Sequence, residues 1–171
     1  MASDYLAYDV TSFSTFTKGL EDFEWGYNRD KEKLPQINFG CYHAFRTGLP
    51  LFYVTYPGSI VDKSHMPYIM SYNNELDINN VIFILANAFH STKNIFWLYD
   101  NKIKYILPIY LAHRSIKNII DQVRDGITSI RYRCTDGVFA KTISDRFYGV
   151  KTNIYLYYST ELLESSRLDL F

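Results

Sequence analysis

An aspartate closing an apolar run is the first residue of this chain whose type and setting could do chemistry. Asp4-Tyr5-Leu6-Ala7-Tyr8-Asp9 reads as a strand ending in an acid. A carboxylate placed there can hold Mg²⁺ or Mn²⁺ while substrate phosphates supply further oxygen ligands. The same residue type also serves as a cap or an ion-pair partner, so spacing alone leaves Asp9 open between these roles. Asp62 follows Pro57-Gly58-Ser59 and precedes a helical stretch, which fits a helix N-cap. Gly26-Tyr27-Asn28-Arg29-Asp30-Lys31, followed by Lys33, gathers cations and an aromatic ring on one loop. Contact with a phosphate backbone is one reading of that loop, and a solvated surface segment is the other. His43, His65, His90 and His113 are scattered without HxxxH or HExxH spacing, which argues against a zinc site. Nucleophilic-serine, Walker A and dinucleotide-binding glycine patterns are all absent.

Positioning Asp9 falls to the elements around Leu51 to Tyr110, which read as strand, turn, helix, strand, helix, strand. Leu51 to Tyr56 is apolar and aromatic and is broken by Pro57-Gly58. A helix from Asp62 to about Asn74 leads into Val81 to Leu85, a β-branched run of the kind buried in a sheet. Ser91 or Thr92 caps the next helix, and Lys104 to Leu111 returns as a strand. This alternation predicts βαβ crossovers and a parallel or mixed sheet covered by helices. Functional groups in such sheets sit just past the carboxyl ends of strands, so the residue after Leu85 is the one to inspect. It is Ala86. Upstream, Val10 to Thr17 is expected to be a loop wrapping back toward Asp9. Gln36 to Tyr56 is expected to be an antiparallel pair joined at Arg46-Thr47-Gly48. Ser115 to Val123 has helical spacing with Ser115 as its cap. Ile130 to Cys134 and Val138 to Ile143 read as a hairpin around Thr135-Asp136-Gly137, Val150 to Tyr158 alternates as a further strand, and Thr160 to Leu170 is weakly amphipathic.

The 171 residues suffice for a real core, and an aromatic fraction of 18% favours strands over a helical bundle. Lys+Arg 18 against Asp+Glu 18 gives formal net charge zero, which lends no overall push toward nucleic acid but leaves room for a local basic patch. Cys41 and Cys134 show no metal or redox spacing and fit free thiols in a reducing compartment. No signal-like opening is visible, and the apolar runs fall short of the roughly 18 residues a membrane span needs. A cytoplasmic protein without membrane association is the expectation.

Taken together, AYDVTSFST, EWGYNRDKEKLPQINFG, GLPLFYVTYPGSIVDKSH and FILANAFHSTKNI resemble, in order and spacing, the IS4-like transposases, closest to the IS1634-type group. The resemblance implies an α/β RNase H-like mixed sheet with flanking helices, interrupted by a small β-rich insertion domain. Residues 1–126 would be the core and 127–171 the insertion segment, leaving the core uncompleted. It further implies DNA transposition by metal-dependent phosphoryl transfer at a D-D-E site, with Mg²⁺ or Mn²⁺ as cofactor and transposon-end DNA as partner. Asp9 falls on the first acid, Gly26, Asn28, Asp30 and Gln36 on a shared loop and strand, and Pro57, Gly58 and Asp62 on the P-G-N-x-x-D turn, with Ser59 for Asn. Asn28, Arg29, Lys31, Lys33 and Lys63 would meet DNA.

The second acid opens a D-R-G-F motif that reads Ala86-Asn87-Ala88-Phe89 in this chain, and a third, a glutamate on a later helix, would lie beyond residue 171. Two-metal chemistry needs carboxylates that flank two cations roughly 4 Å apart. The expectation is therefore a truncated transposase without catalytic activity, with weak or absent metal binding. The alternative is a DNA-binding or structural remnant without enzymatic function. A sheet left partly uncovered would also favour self-association.

Overall fold

Strand β1 (Asp4–Ser14) opens with the apolar run Tyr5 to Tyr8, and it runs well past Asp9. The expected loop after Asp9 is instead extended chain as far as Ser14. The reason is pairing: β2 (Gln36–Ala44) stays hydrogen-bonded alongside, from Val10↔Gly40 to Ser14↔Gln36. A tight connection, with Gly48 at φ +69° and its N–H on the Ala44 carbonyl at 2.8 Å, leads into β3 (Pro50–Pro57), antiparallel to β2. Then come α1 (Asp62–Glu75), β4 (Val81–Leu85), α2 (Thr92–Asp100) and β5 (Lys104–Ile106). β4 lies parallel to β1, and β5 parallel to β4, giving the order β3-β2-β1-β4-β5. The result is an α/β mixed sheet with flanking helices. β5 is shorter than expected because Pro108 offers no N–H to continue a ladder.

This computed structural model describes residues 4–17, 19–27, 33–75, 78, 80–111 and 113–162. The chain divides into two compact units, Met1–Ile109 and Tyr110–Phe171. In the first, Leu6 and Tyr8 of β1, Tyr42 of β2 and Phe83 and Leu85 of β4 bury against Met66, Ile69 and Met70 of α1. β2 turns its polar residues inward: Gln36 and Asn38 are buried, while Ile37, Phe39 and Cys41 are half-buried. Both amides satisfy carbonyls brought near by the fold, Gln36 those of Tyr27 and Gly58 and Asn38 those of Pro57 and Ile60.

The second unit holds α3 (Arg114–Val123) and the antiparallel strands β6 (Arg133–Thr135), β7 (Val138–Phe147) and β8 (Val150–Ser159) in that order. Helix α3 begins at Arg114 with His113 at the capping position, so Ser115 is not its cap. Ile130 to Tyr132, expected as strand, is one turn of 3-10 helix. Tyr148 and Gly149, both with positive φ, close the β7–β8 hairpin as the right-handed strand twist requires. The C-terminal amphipathic segment lies outside the described residues beyond position 162. No helix among the described residues is long and apolar enough to cross a membrane.

Candidate functional site

The parallel β1–β4 ladder ends on Tyr8↔Leu85, so Asp9 and Ala86 are the next residue on each strand. Asp9 is exposed, and its Oδ1 accepts the N–H of Val10 at 2.9 Å. Ala86 has extended backbone (φ −70°, ψ 158°) and leads into a 3-10 turn, Asn87–Phe89. Phe89 closes that turn with its N–H on the Ala86 carbonyl at 3.1 Å. It is buried, its ring 5.3 Å from that of Tyr8, which in turn lies 4.7 Å from Tyr42. Such aromatic pairs contribute about 0.5–1.5 kcal/mol each beyond burial.

A buried amide ties this turn to the helices. Asn94 donates to the Phe89 carbonyl and to the Lys63 carbonyl, both at 2.9 Å, joining the end of β4 to the start of α1. Ser91 caps α2 by accepting the Asn94 N–H at 3.1 Å. On the other flank, Asn38 donates to the carbonyls of Pro57 (3.3 Å) and Ile60 (3.0 Å). Gln36 donates to Tyr27 (2.6 Å) and more weakly to Gly58 (3.4 Å). Gly58 lies so close to β2 that a Cβ there would stand 2.2 Å from the Gln36 carbonyl oxygen. The hydroxyl of Ser59 donates to the carboxylate of Glu24. Asp62 is the first residue of α1, and its carboxylate accepts the Tyr56 hydroxyl at 2.7 Å.

Between these flanks is a cleft of about 360 Å³ whose lining includes Thr11, Ser12, Tyr27, Ser59, Asp62 and Ala88. Burial pushes the phenols of Tyr8 and Tyr56 well above their ordinary value; for Tyr56 the bond to Asp62 adds to the effect, so it remains a donor. His65, its ring 4.2 Å from that of Tyr56 and tilted to it by 33°, is lowered by burial, which outweighs the opposite pull of Asp62.

The transposase DDE domain family has a model that matches residues 2–155 of this chain. The chain belongs to that family. A comparison with curated proteins finds no match. Among solved structures the chain is similar to one described as the cryo-EM structure of piggyBac transposase synaptic complex with hairpin DNA, at 16% identity and a TM-score of 0.45. The similarity covers 92% of this chain and 33% of that one, so the chain spans about a third of that protein's length.

Family chemistry generally uses divalent metal ions, and the residues present do not fit them as a pair. Asp9 supplies a carboxylate, whereas Ala86 brings a methyl group with no donor atom. Among the described residues, no three His, Cys, Asp or Glu side chains group closely enough to hold a cation. Gly58 and Asp62 line the cleft together with Val10, Thr11 and Ser12, the residues that follow Asp9, and Pro57 ends β3 just before Gly58. Lys33 and Lys63 are exposed and form no ion pair among the described residues. Asn28, Arg29 and Lys31 lie outside the described residues. Residue-type reasoning passed over Asn38 and Asn94, although each stands out in the sequence: Asn38 alternates with apolar neighbours, and Asn94 sits three residues after Ser91.

Proposed function

We propose that this chain is a transposase-derived domain of the IS4-like subtype that does not cut or join DNA as it stands. Residues 1–126 are its core and 127–171 its insertion segment, and it works in the cytoplasm on transposon-end DNA. Asp9 is the first acid, Ala86 is the position of the lost second one, and Asn28, Arg29, Lys31, Lys33 and Lys63 contact DNA. The observation that carries the reading is Ala86 on the strand position next after the Tyr8↔Leu85 pair, beside Asp9. A single exposed carboxylate holds Mg²⁺ weakly, because a hard dication needs several oxygen ligands with enough charge to replace its water. Calorimetric titration with Mg²⁺ and Mn²⁺ tests it. The chain should bind neither tightly, Ala86→Asp should gain a site, and adding Asp9→Ala should remove that gain. Tight binding by the unaltered chain, or metal-dependent nicking of DNA that Asp9→Ala abolishes, would sink the proposal.

A further inference from the structure

The β7–β8 hairpin is a two-sided ribbon whose sides differ in chemistry. Side chains alternate between faces, and the register puts Phe139, Ile143 and Phe147 together with Val150 and Ile154 on one side. The other side carries Ser144 opposite Asn153 and Arg146 opposite Lys151, with Tyr155 and Tyr157 farther along β8. All six are exposed, and the two tyrosines keep 55% and 72% of their surface accessible. No acid shares this side. Asp145 belongs to the apolar side, where its carboxylate accepts the backbone N–H of Arg146 at 2.7 Å. Among the described residues neither Arg146 nor Lys151 has an ion-pair partner.

Like charges directly across a strand pair are destabilising, so an unneutralised Arg–Lys pair suits an anion brought from outside. The rings add a second requirement. Tyr155 and Tyr157 stand two residues apart, roughly 6.6 Å along the strand, which leaves each ring a face on which a flat group can stack. From Lys151 to Tyr157 the face runs about 20 Å, long enough for a short run of nucleotides. We infer that this face binds single-stranded nucleic acid, with Arg146 and Lys151 on phosphates and Tyr155 and Tyr157 stacking on bases. A duplex stacks its bases on one another and offers this face only phosphates, so the tyrosines favour the single strand. The inference is independent of whether the site at Asp9 and Ala86 is silent, since it concerns another surface and a binding event.

Fluorescence anisotropy of the full chain with a labelled oligothymidylate of about 20 nucleotides, and with a duplex of equal length, tests it across salt. The single strand should bind more tightly than the duplex at each salt concentration. Tyr155→Ala and Tyr157→Ala should each weaken it by about fivefold or more without changing the salt slope, whereas Tyr→Phe at either position keeps the ring and the affinity. Arg146→Gln with Lys151→Gln should flatten the log–log salt slope by about 1.4, or roughly 0.7 per phosphate released. Circular dichroism on every variant separates a lost contact from a lost fold. Absence of single-strand binding at about 50 mM salt, equal affinity for duplex, or tyrosine changes without effect would overturn the inference. So would polyglutamate competing as well as the oligonucleotide, which would mark a general polyanion surface.

Discussion

Replacing Gly40 with alanine tests how the candidate site is held from beneath. Gly40 pairs with Val10 across β1 and β2. A Cβ there would stand 2.0 Å from the Tyr8 hydroxyl oxygen, 2.7 Å from Cζ and 2.9 Å from Cε2. Tyr8 has no easy retreat, because it is 1% exposed and lies between the rings of Tyr42 and Phe89. Overpacking of this kind costs roughly 1–3 kcal/mol. The Tyr8 hydroxyl is itself buried without a hydrogen-bond partner among the described residues. Leaving such a group unsatisfied costs on the order of 1–3 kcal/mol, so Tyr8→Phe alone should be neutral or stabilise by about 1 kcal/mol. In the double variant the closest contact disappears while the one to Cζ persists, which should leave a coupling of about 1 kcal/mol. Both tryptophans, Trp25 and Trp97, belong to the unit Met1–Ile109, so their fluorescence in urea follows this unit alone. The reasoning is refuted if Gly40→Ala unfolds at the wild-type midpoint, or if the two substitutions are additive.

Asn94→Ala should destabilise the same unit by about 2–3 kcal/mol, since it strands the buried carbonyls that the amide now satisfies; urea titration reads it, and a loss below half that would assign those carbonyls another donor. Ser91→Ala should cost about 1 kcal/mol through the lost cap of α2, while Ser91→Asp should retain most of the stability. For His65, the folded-state value lies below the usual 6.5, so the unfolded chain takes the proton first. Its contribution to stability is full above that value and is lost as pH falls from there through the lowered folded value. Midpoints measured from pH 7 downward should therefore decline on this account, and His65→Gln should flatten the decline; a steeper decline in the variant would reverse the sign and defeat the argument.

Much of the fold was legible because it rests on short-range chemistry. The run Val81 to Leu85, the break at Pro57-Gly58 and the Ser91 cap each declare their element within a few residues, and each is found where expected. The loop expected after Asp9 gives way to strand because of a pairing partner that local pattern cannot see. Val10 to Ser14 looks loop-like alone, yet β2 holds it extended. Gln36 and Asn38 likewise answer to distant groups, being buried where they reach carbonyls some twenty residues away, at Pro57, Gly58 and Ile60. At the site, the pairing of Asp9 with Ala86 was implied by the family resemblance, and the parallel β1–β4 ladder puts the two residues next after Tyr8↔Leu85. The amide ties through Asn94 could not be inferred, because their acceptors on Phe89 and Lys63 come from two other elements.

Those ties bear on what the alanine at position 86 means. If the backbone around Ala86 had depended on a carboxylate, its absence should have left an open or irregular turn. Instead the turn is closed by the Phe89 N–H on the Ala86 carbonyl, anchored by the buried Phe89 ring and held from α2 by Asn94. None of these contacts uses the side chain at position 86. The extended backbone of Ala86 is also open to aspartate, which adopts that region without strain. Framework and chemistry are therefore separable at this position. Ala86→Asp should fold with a urea midpoint close to that of the unaltered chain and change only what the site can bind. A large drop in midpoint would mean instead that the pocket around position 86 has repacked to exclude a charge, and that restoring the acid requires more than one substitution.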